Sequence, residues 1–184
     1  MTDGMTQTDD AGPASTARLR FRRWNLDDAE AILDMYSRED VYRFLGSTPR
    51  PVDSLEEAAE RIGRWQARAT PSRGLWAVLR IDHPGPPIGT VLLVPLPRTD
   101  GQATDVHEIG WHFHPDVWGH GFAAEAGTAV IDLARDTGLT EVRAVVFLDN
   151  QASVRVCERL GMSGRGLTRE WYDASMLEFV QYPL

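Results

Sequence analysis

The stretch WGHGFAAEAGTAVIDLAR, from Trp118 to Arg135, sets two glycines one residue apart and runs from them into an alanine-rich apolar segment. Glycine accepts backbone angles closed to other residues and leaves no side chain in a ligand's way. A helix starting after Gly121 would aim its unpaired amides, and the positive end of its dipole, at whatever occupies the turn. A diphosphate is the natural occupant. The same glycines could instead make only a tight strand-to-helix connection. A third reading is the dinucleotide fingerprint G-x-G-x-x-A, met by Gly119, Gly121 and Ala124, with Glu141 about twenty residues on. Its context is wrong: HPDVW separates the strand end at Phe113 from Gly119, and only one strand-helix-strand crossover follows.

Titratable side chains gather just upstream, in VHEIGWHFH. On a strand, Glu108 shares a face with Gly110 and His112, while His107 points to the other face. A carboxylate or imidazole there could act as a general base or sit in an ordinary ion pair. The pair His112 and His114, with His107, Glu108 and His120 near in sequence, also invites a metal reading. Against it, His114 ends the strand before Pro115 and no carboxylate follows at the required spacing, so no metal is expected. The lone cysteine, Cys157, can form neither an intramolecular disulfide nor a cysteine cage, which suits a reducing compartment. All 19 basic residues are arginine. Without lysine there is no Walker-type phosphate lysine, no Schiff base and no lysine nucleophile.

These groups must be positioned by a small set of elements. LRFRRW (19–24) reads as an opening strand, followed by a helix entered near Asn25 and Asp28 with Ile32, Met35 and Tyr36 inward. Ser54 and Glu57 make a capping box for a second helix, with Leu55, Ala58, Ile62, Trp65 and Ala69 at helical spacing. Between them YRFLGSTPRP is a loop, either a lip over a substrate or a plain connection. LWAVLRI, a turn at HPGPP and IGTVLLVPL form a hairpin, and VHEIGWHF a further strand. A long helix from near Gly121, the strand EVRAVVFLDN and the helix NQASVRVCERLGM follow, the last with Val154, Cys157 and Leu160 on one face. REWYDASMLEFVQY (169–182) reads as two strands around a turn near Asp173. The order predicts a mixed α/β layer structure with one central sheet.

At 184 residues the chain suits one domain, with residues 1–17 a disordered leader and 18–184 the folded part. No secretory or membrane-spanning stretch is present, which places the protein in the cytoplasm. A net charge of −8 argues against a nucleic-acid partner.

The run IGWHFHPDVWGHGFAAEA resembles the acyl-CoA-binding segment of the GNAT N-acetyltransferases, most closely the ribosomal-protein N-terminal (Rim-type) subgroup, whose W-G-x-G-[YF]-A-x-E-A pattern Trp118 to Ala126 matches. Asn150, Ser153, Leu160, Gly161 and Met162 match a second signature, N-x-x-S followed by L-G-[MF]. The resemblance runs from about Leu19 to the C-terminus. It implies an α/β (α+β) GNAT acyl-CoA N-acyltransferase fold, with a mixed, mostly antiparallel sheet of about seven strands flanked by about four helices. It also implies acetyl-CoA as co-substrate, bound at Trp118 and with the pyrophosphate on the backbone amides of Gly119, His120, Gly121, Phe122, Ala123 and Ala124. Pantetheine would lie beside Trp111 and Phe113, near Asn150 and Ser153.

In such relatives an acidic residue on this strand often takes the ammonium proton, here Glu108, with His107 and His112 as alternatives. Many carry a tyrosine seven residues after the second-signature asparagine as acid for the departing thiolate; this chain has Cys157 there. The acceptor would be an amine: a protein N-terminus, as the subgroup suggests, or a small antibiotic, polyamine or amino acid. A non-catalytic acyl-CoA-binding module is the reading outside catalysis, and dimers are common among similar proteins.

Overall fold

Apolar segments alternating with helical periods build one seven-stranded sheet with helices on both faces. The computed structural model describes residues 12–46 and 48–184. The strands are β1 (Leu19–Arg23), β2 (Gly74–Arg80), β3 (Gly89–Pro95), β4 (His107–Phe113), β5 (Val142–Phe147), β6 (Ser163–Thr168) and β7 (Met176–Gln181), in spatial order β1-β2-β3-β4-β5-β7-β6. All neighbours run antiparallel except β4 and β5. The mixed, mostly antiparallel sheet expected from the resemblance is present, and a doubly wound dinucleotide fold is not.

The helices are α1 (Ala29–Tyr36), α2 (Glu39–Tyr42), α3 (Leu55–Ala67), α4 (Phe122–Asp136) and α5 (Gln151–Arg159). One sheet face packs with α4 and α5 around Val91, Leu93, Ile109, Val130 and Cys157. The other packs with the α1–α3 layer around Trp24, Ile32, Tyr36, Ile62 and Ala77. Covered on both faces, β2 and β3 are apolar on both, which is why LWAVL and TVLLV show no two-residue alternation.

The parallel pair positions the site. Its strands are joined by the α4 crossover, as a parallel connection requires, and only Glu108 and Arg143 stand in paired register. Beyond that pair the strands part toward their C-terminal ends and leave a wedge in the sheet.

Among the described residues the helices number five, in keeping with the about four expected, the shortest being the single turn α2. Two expectations need correction. The last two strands are not both within residues 169–182: β6 lies earlier, over SGRGLT, and residues 169–175 form the connection. Five of the six residues of β6 are exposed and its pairing is interrupted by a bulge between Gly164 and Gly166, so it carries no buried alternation to read. Finally, residues 12–17, assigned from sequence to the leader, pack against the domain. The Thr16 hydroxyl donates to Glu125 on α4, and Gly12 lies against the Trp76 indole. The remainder of the expected leader, residues 1–11, lies outside the described residues.

Candidate active site

A cleft of about 680 Å³ opens where β4 and β5 separate. From β4 it takes Glu108, Gly110, Trp111, His112 and Phe113. The turn and first helical residues contribute Trp118, Gly119, Gly121, Phe122, Ala123 and Ala124, and the start of α5 contributes Asn150 and Ser153. The residues assigned from sequence to catalysis or cofactor binding therefore line one cavity, except His107, His120 and Cys157.

The turn is shaped by its glycines. Gly119 and Gly121 both have φ +81°, the left-handed region that side chains disfavour. Pro115–Val117 make a single 3-10 turn ahead of them, and the Trp118 indole N–H donates to the Phe113 carbonyl at 2.8 Å, pinning the turn to the end of β4. Gly121 caps α4 without a side-chain bond, and the first helical amide to bond back is that of Glu125, to the Gly121 carbonyl. The amides ahead of it point out of the helix start. From behind, Arg18 pairs with Glu125 and donates to the His120 carbonyl at 3.1 Å, fixing the loop to β1. The His120 ring is exposed, bonded to the Val117 and Trp118 carbonyls and stacked on Phe122, so only its backbone belongs to the turn.

Glu108 is 8% exposed. Burial pushes its carboxyl up to about 7, although the Tyr172 hydroxyl, which donates to Oε2, favours the charged form. Tyr172 had no part in the sequence reading of the site. It sits in the β6–β7 connection with φ 55°, followed by Asp173 at φ 53°, a pair of left-handed residues making a tight turn. Trp171, buried beside it, donates its indole N–H to Glu178 at 2.9 Å, and the Thr99 hydroxyl accepts from the Asp173 amide at 3.0 Å. Its trace in the sequence is an aromatic pair beside a turn residue, with no periodicity to mark it.

The histidines separate. His112 lies on the Glu108 face, its Nδ1 3.0 Å from the Tyr36 hydroxyl, which also meets Thr90 Oγ1 at 2.8 Å. Burial, with the positive charge of Arg61 second, pushes His112 down to about 4. It is neutral near pH 7 and a weaker base than Glu108. His107 lies outside the cleft lining, bonded to the Asp105 carbonyl, and burial lowers its pKa. His114 lies 3.2 Å from Asp34 and accepts from the Asp116 amide. No three His, Cys, Asp or Glu side chains converge as a metal site among the described residues.

Cys157 is a correction. Its thiol is fully buried in the core under α4 and α5, outside the cleft lining, and burial pushes its pKa up to about 12. The helical face it shares with Val154 and Leu160 is a packing face. Asn150 resolves as a helix cap, its side chain accepting from the Ser153 amide at 3.1 Å. The YRFLGSTPRP segment forms a lip: Arg43, Phe44, Leu45 and Gly46 line the cleft, and the Phe44 ring lies 6.4 Å from that of Phe147 across its mouth.

A glycine turn before a helix, a splayed parallel pair and a buried carboxylate on the first splayed strand together define an acyl-transfer cleft. Residues 18–163 match the family model for an acetyltransferase (GNAT) domain. The chain is 31% identical over 175 residues to the uncharacterized N-acetyltransferase YoaA of Bacillus subtilis (strain 168), covering 90% of this chain and 95% of the relative. The fold is similar to that of RimL, a ribosomal L7/L12 alpha-N-protein acetyltransferase solved with coenzyme A (TM-score 0.74, 13% identity, 92% of this chain and 97% of that one). It is also similar to that of yncA from Salmonella typhimurium, solved with acetyl-CoA (TM-score 0.64, 18% identity, 89% and 93%). The chain belongs to the GNAT acetyltransferase family and is an acyltransferase. No helix among the described residues is long and apolar enough to cross a membrane.

Proposed function

We propose that the protein moves the acetyl group of acetyl-CoA directly to the α-amine of a protein N-terminus, with Glu108 as the base. The observation that carries this reading is the buried Glu108 carboxyl, facing the cleft and held near 7. An α-ammonium group titrates near ~8 and a lysine ammonium near ~10.4. A base close to 7 is therefore matched to an α-amine, for which proton transfer is nearly balanced.

The backbone amides of Gly119 to Ala124 would hold the pyrophosphate, and the two left-handed glycines admit it because neither presents a Cβ. The pantetheine arm fits the wedge between Trp111–Phe113 and β5, next to Asn150 and Ser153. His120 contributes its backbone alone. The acceptor enters over Gly110, which lies between Glu108 and His112 on one face, where the absence of a side chain leaves room beside Leu92, whose side chain stands 3.2 Å from where a Cβ would be. Glu108 takes the ammonium proton through one water, and the uncharged amine attacks the thioester carbonyl. A β4 backbone amide supports the oxyanion; the C–N bond forms, the C–S bond breaks, the nitrogen gives up its second proton to solvent, and the thiolate takes one up from solvent. A cytoplasmic location fits the single buried thiol.

The test is release of free CoA thiol with a panel of N-terminal peptides, followed by mass detection of the acetylated α-amine. Thiol release with polyamines or antibiotics but no peptide moves the acceptor to small molecules. Binding of acetyl-CoA without thiol release for any amine makes the protein an acyl-CoA-binding module.

A further inference from the structure

The lining of the cleft includes a cation that the transfer chemistry does not use. Arg61, on α3, lines the cleft together with Tyr36, Trp65 and His112. Its guanidinium lies 5.1 Å over the Tyr36 ring, and Trp65 meets the same ring edge-on at 5.9 Å. Its natural partner at i−4, Glu57, is taken by Arg50 at 2.6 Å. Arg61 makes no ion pair or hydrogen bond among the described residues, and its buried Nε has no acceptor. A desolvated guanidinium with open donors and aromatic walls is built for a planar anion, which it grips through two parallel bonds.

We propose that Arg61 docks an anionic group of the acceptor, so that the acceptor is a primary amine carrying a carboxylate some distance from the reacting nitrogen. The inference rests on the acetyl-transfer reading above. The distance follows from the contacts: Gly110 and His112 stand two residues apart on β4, ~7 Å at ~3.3 Å per residue, His112 Nδ1 lies 3.0 Å from the Tyr36 hydroxyl, and the Arg61 guanidinium lies 5.1 Å over the Tyr36 ring. The amine over Gly110 and the anion at Arg61 are therefore separated by on the order of 10 Å, or about three extended residues. A free α-amino acid is too short. An N-terminal peptide with Asp or Glu at its second or third position spans the gap, as does a long ω-amino acid.

The experiment uses the full-length protein with matched acceptors: peptides bearing Glu or Gln at position two or three, and ω-amino acids of increasing length beside their amides. Wild type, Arg61→Gln and Arg61→Lys are compared. The acidic member of a pair is expected to have a KM lower by about tenfold or more at similar kcat. Arg61→Gln removes that difference while leaving the neutral member's KM and the acetyl-CoA thermal shift in place, and Arg61→Lys restores part of it. A preference confined to one series identifies the acceptor as peptide or small molecule, and either supports the docking point. Equal KM values within every wild-type pair, or an equal loss for both members in Arg61→Gln, overturn it. Calorimetric binding of the same pairs to CoA-loaded protein decides the docking role of Arg61 even if no amine releases thiol, an outcome that defeats only the transfer reading.

Discussion

The Tyr172 hydroxyl donates a hydrogen bond to Oε2 of Glu108, joining two residues 64 positions apart in the chain across the head of the β4–β5 wedge. Burial alone would drive the Glu108 carboxyl toward its neutral form; the tyrosine opposes that drive and leaves it near 7. A carboxyl there is part ionised near neutrality, so a small change in its surroundings alters how much base is present.

Tyr172→Phe removes the donor that favours the carboxylate. The ionisation limb of kcat/KM should move above 7, with activity at neutral pH falling several-fold and largely returning at higher pH. A profile that keeps its inflection while losing height at every pH would make Tyr172 a packing residue and nothing more.

Glu108→Gln keeps the shape of the side chain and deletes the base. General-base catalysis of this kind contributes on the order of 100-fold to 10,000-fold, and kcat should drop into that range. The thermal stabilisation by acetyl-CoA, about 2.7 kcal/mol at a hundredfold its dissociation constant, should remain. Loss of turnover and of the shift together would remove Glu108 from the chemistry.

Gly119 and Gly121 separate backbone geometry from packing. A Cβ at Gly119 meets nothing within 4 Å, and one at Gly121 meets only Arg18 Nη2 at 3.7 Å, an ordinary contact. Substituting alanine at either position therefore costs the left-handed penalty of about 1–2 kcal/mol and puts a methyl in the turn without a clash elsewhere. The folded protein should survive with its acetyl-CoA shift abolished. An unchanged shift in both variants would contradict the pyrophosphate assignment.

Glu108 and His112 also tie stability to pH in opposite senses. Glu108 is raised from 4.5 to about 7 in the folded state, so its contribution is full below about 4.5 and is lost as pH rises through about 7. His112 is lowered from 6.5 to about 4, so its contribution is present above about 6.5 and is lost as pH falls through about 4. Between those limits the two slopes oppose. Urea midpoints taken across that window should fall more steeply on acidification in Glu108→Gln than in the parent, and less steeply in His112→Gln. Parallel curves for all three proteins would mean that neither group carries the linkage.

Cys157→Ala should keep turnover within about twofold, at a stability cost on the order of 1 kcal/mol. Cys157→Ser leaves a buried hydroxyl in an apolar core and should cost more, about 1–3 kcal/mol. A collapse of kcat in the alanine variant, with its melting point kept, would restore the thiol as a candidate acid.

Much of the site was legible because its chemistry is local. The glycine turn, the β4 face of Glu108, Gly110 and His112, and the Asn150 cap each depend on residues within a few positions of one another. The residues that escaped are brought in from elsewhere. Tyr172 reaches Glu108 through a loop clamped by Thr99, and Arg61 reads on its helix as one more solvated charge until Glu57 is seen to prefer Arg50. Cys157 went the other way: a motif position suggested chemistry, and its helical face, shared with Val154 and Leu160, already pointed to the core. β6 escaped because an exposed glycine-rich edge strand leaves no hydrophobic alternation.

The wedge between β4 and β5 gives the sheet an internal edge. Past the Glu108–Arg143 pair, backbone donors and acceptors of both strands face a gap instead of each other, and an open edge ordinarily invites another chain to pair with it. Here it is enclosed by α5, the glycine turn and the lip carrying Phe44, so the occupant must be slender and must bring amides of its own. On the proposed reading a pantetheine arm meets both conditions and would stand in for the missing strand. The β4 amides that face the gap should therefore exchange hydrogen rapidly in the free protein and slow sharply once the co-substrate is seated, a footprint of binding written in the backbone alone.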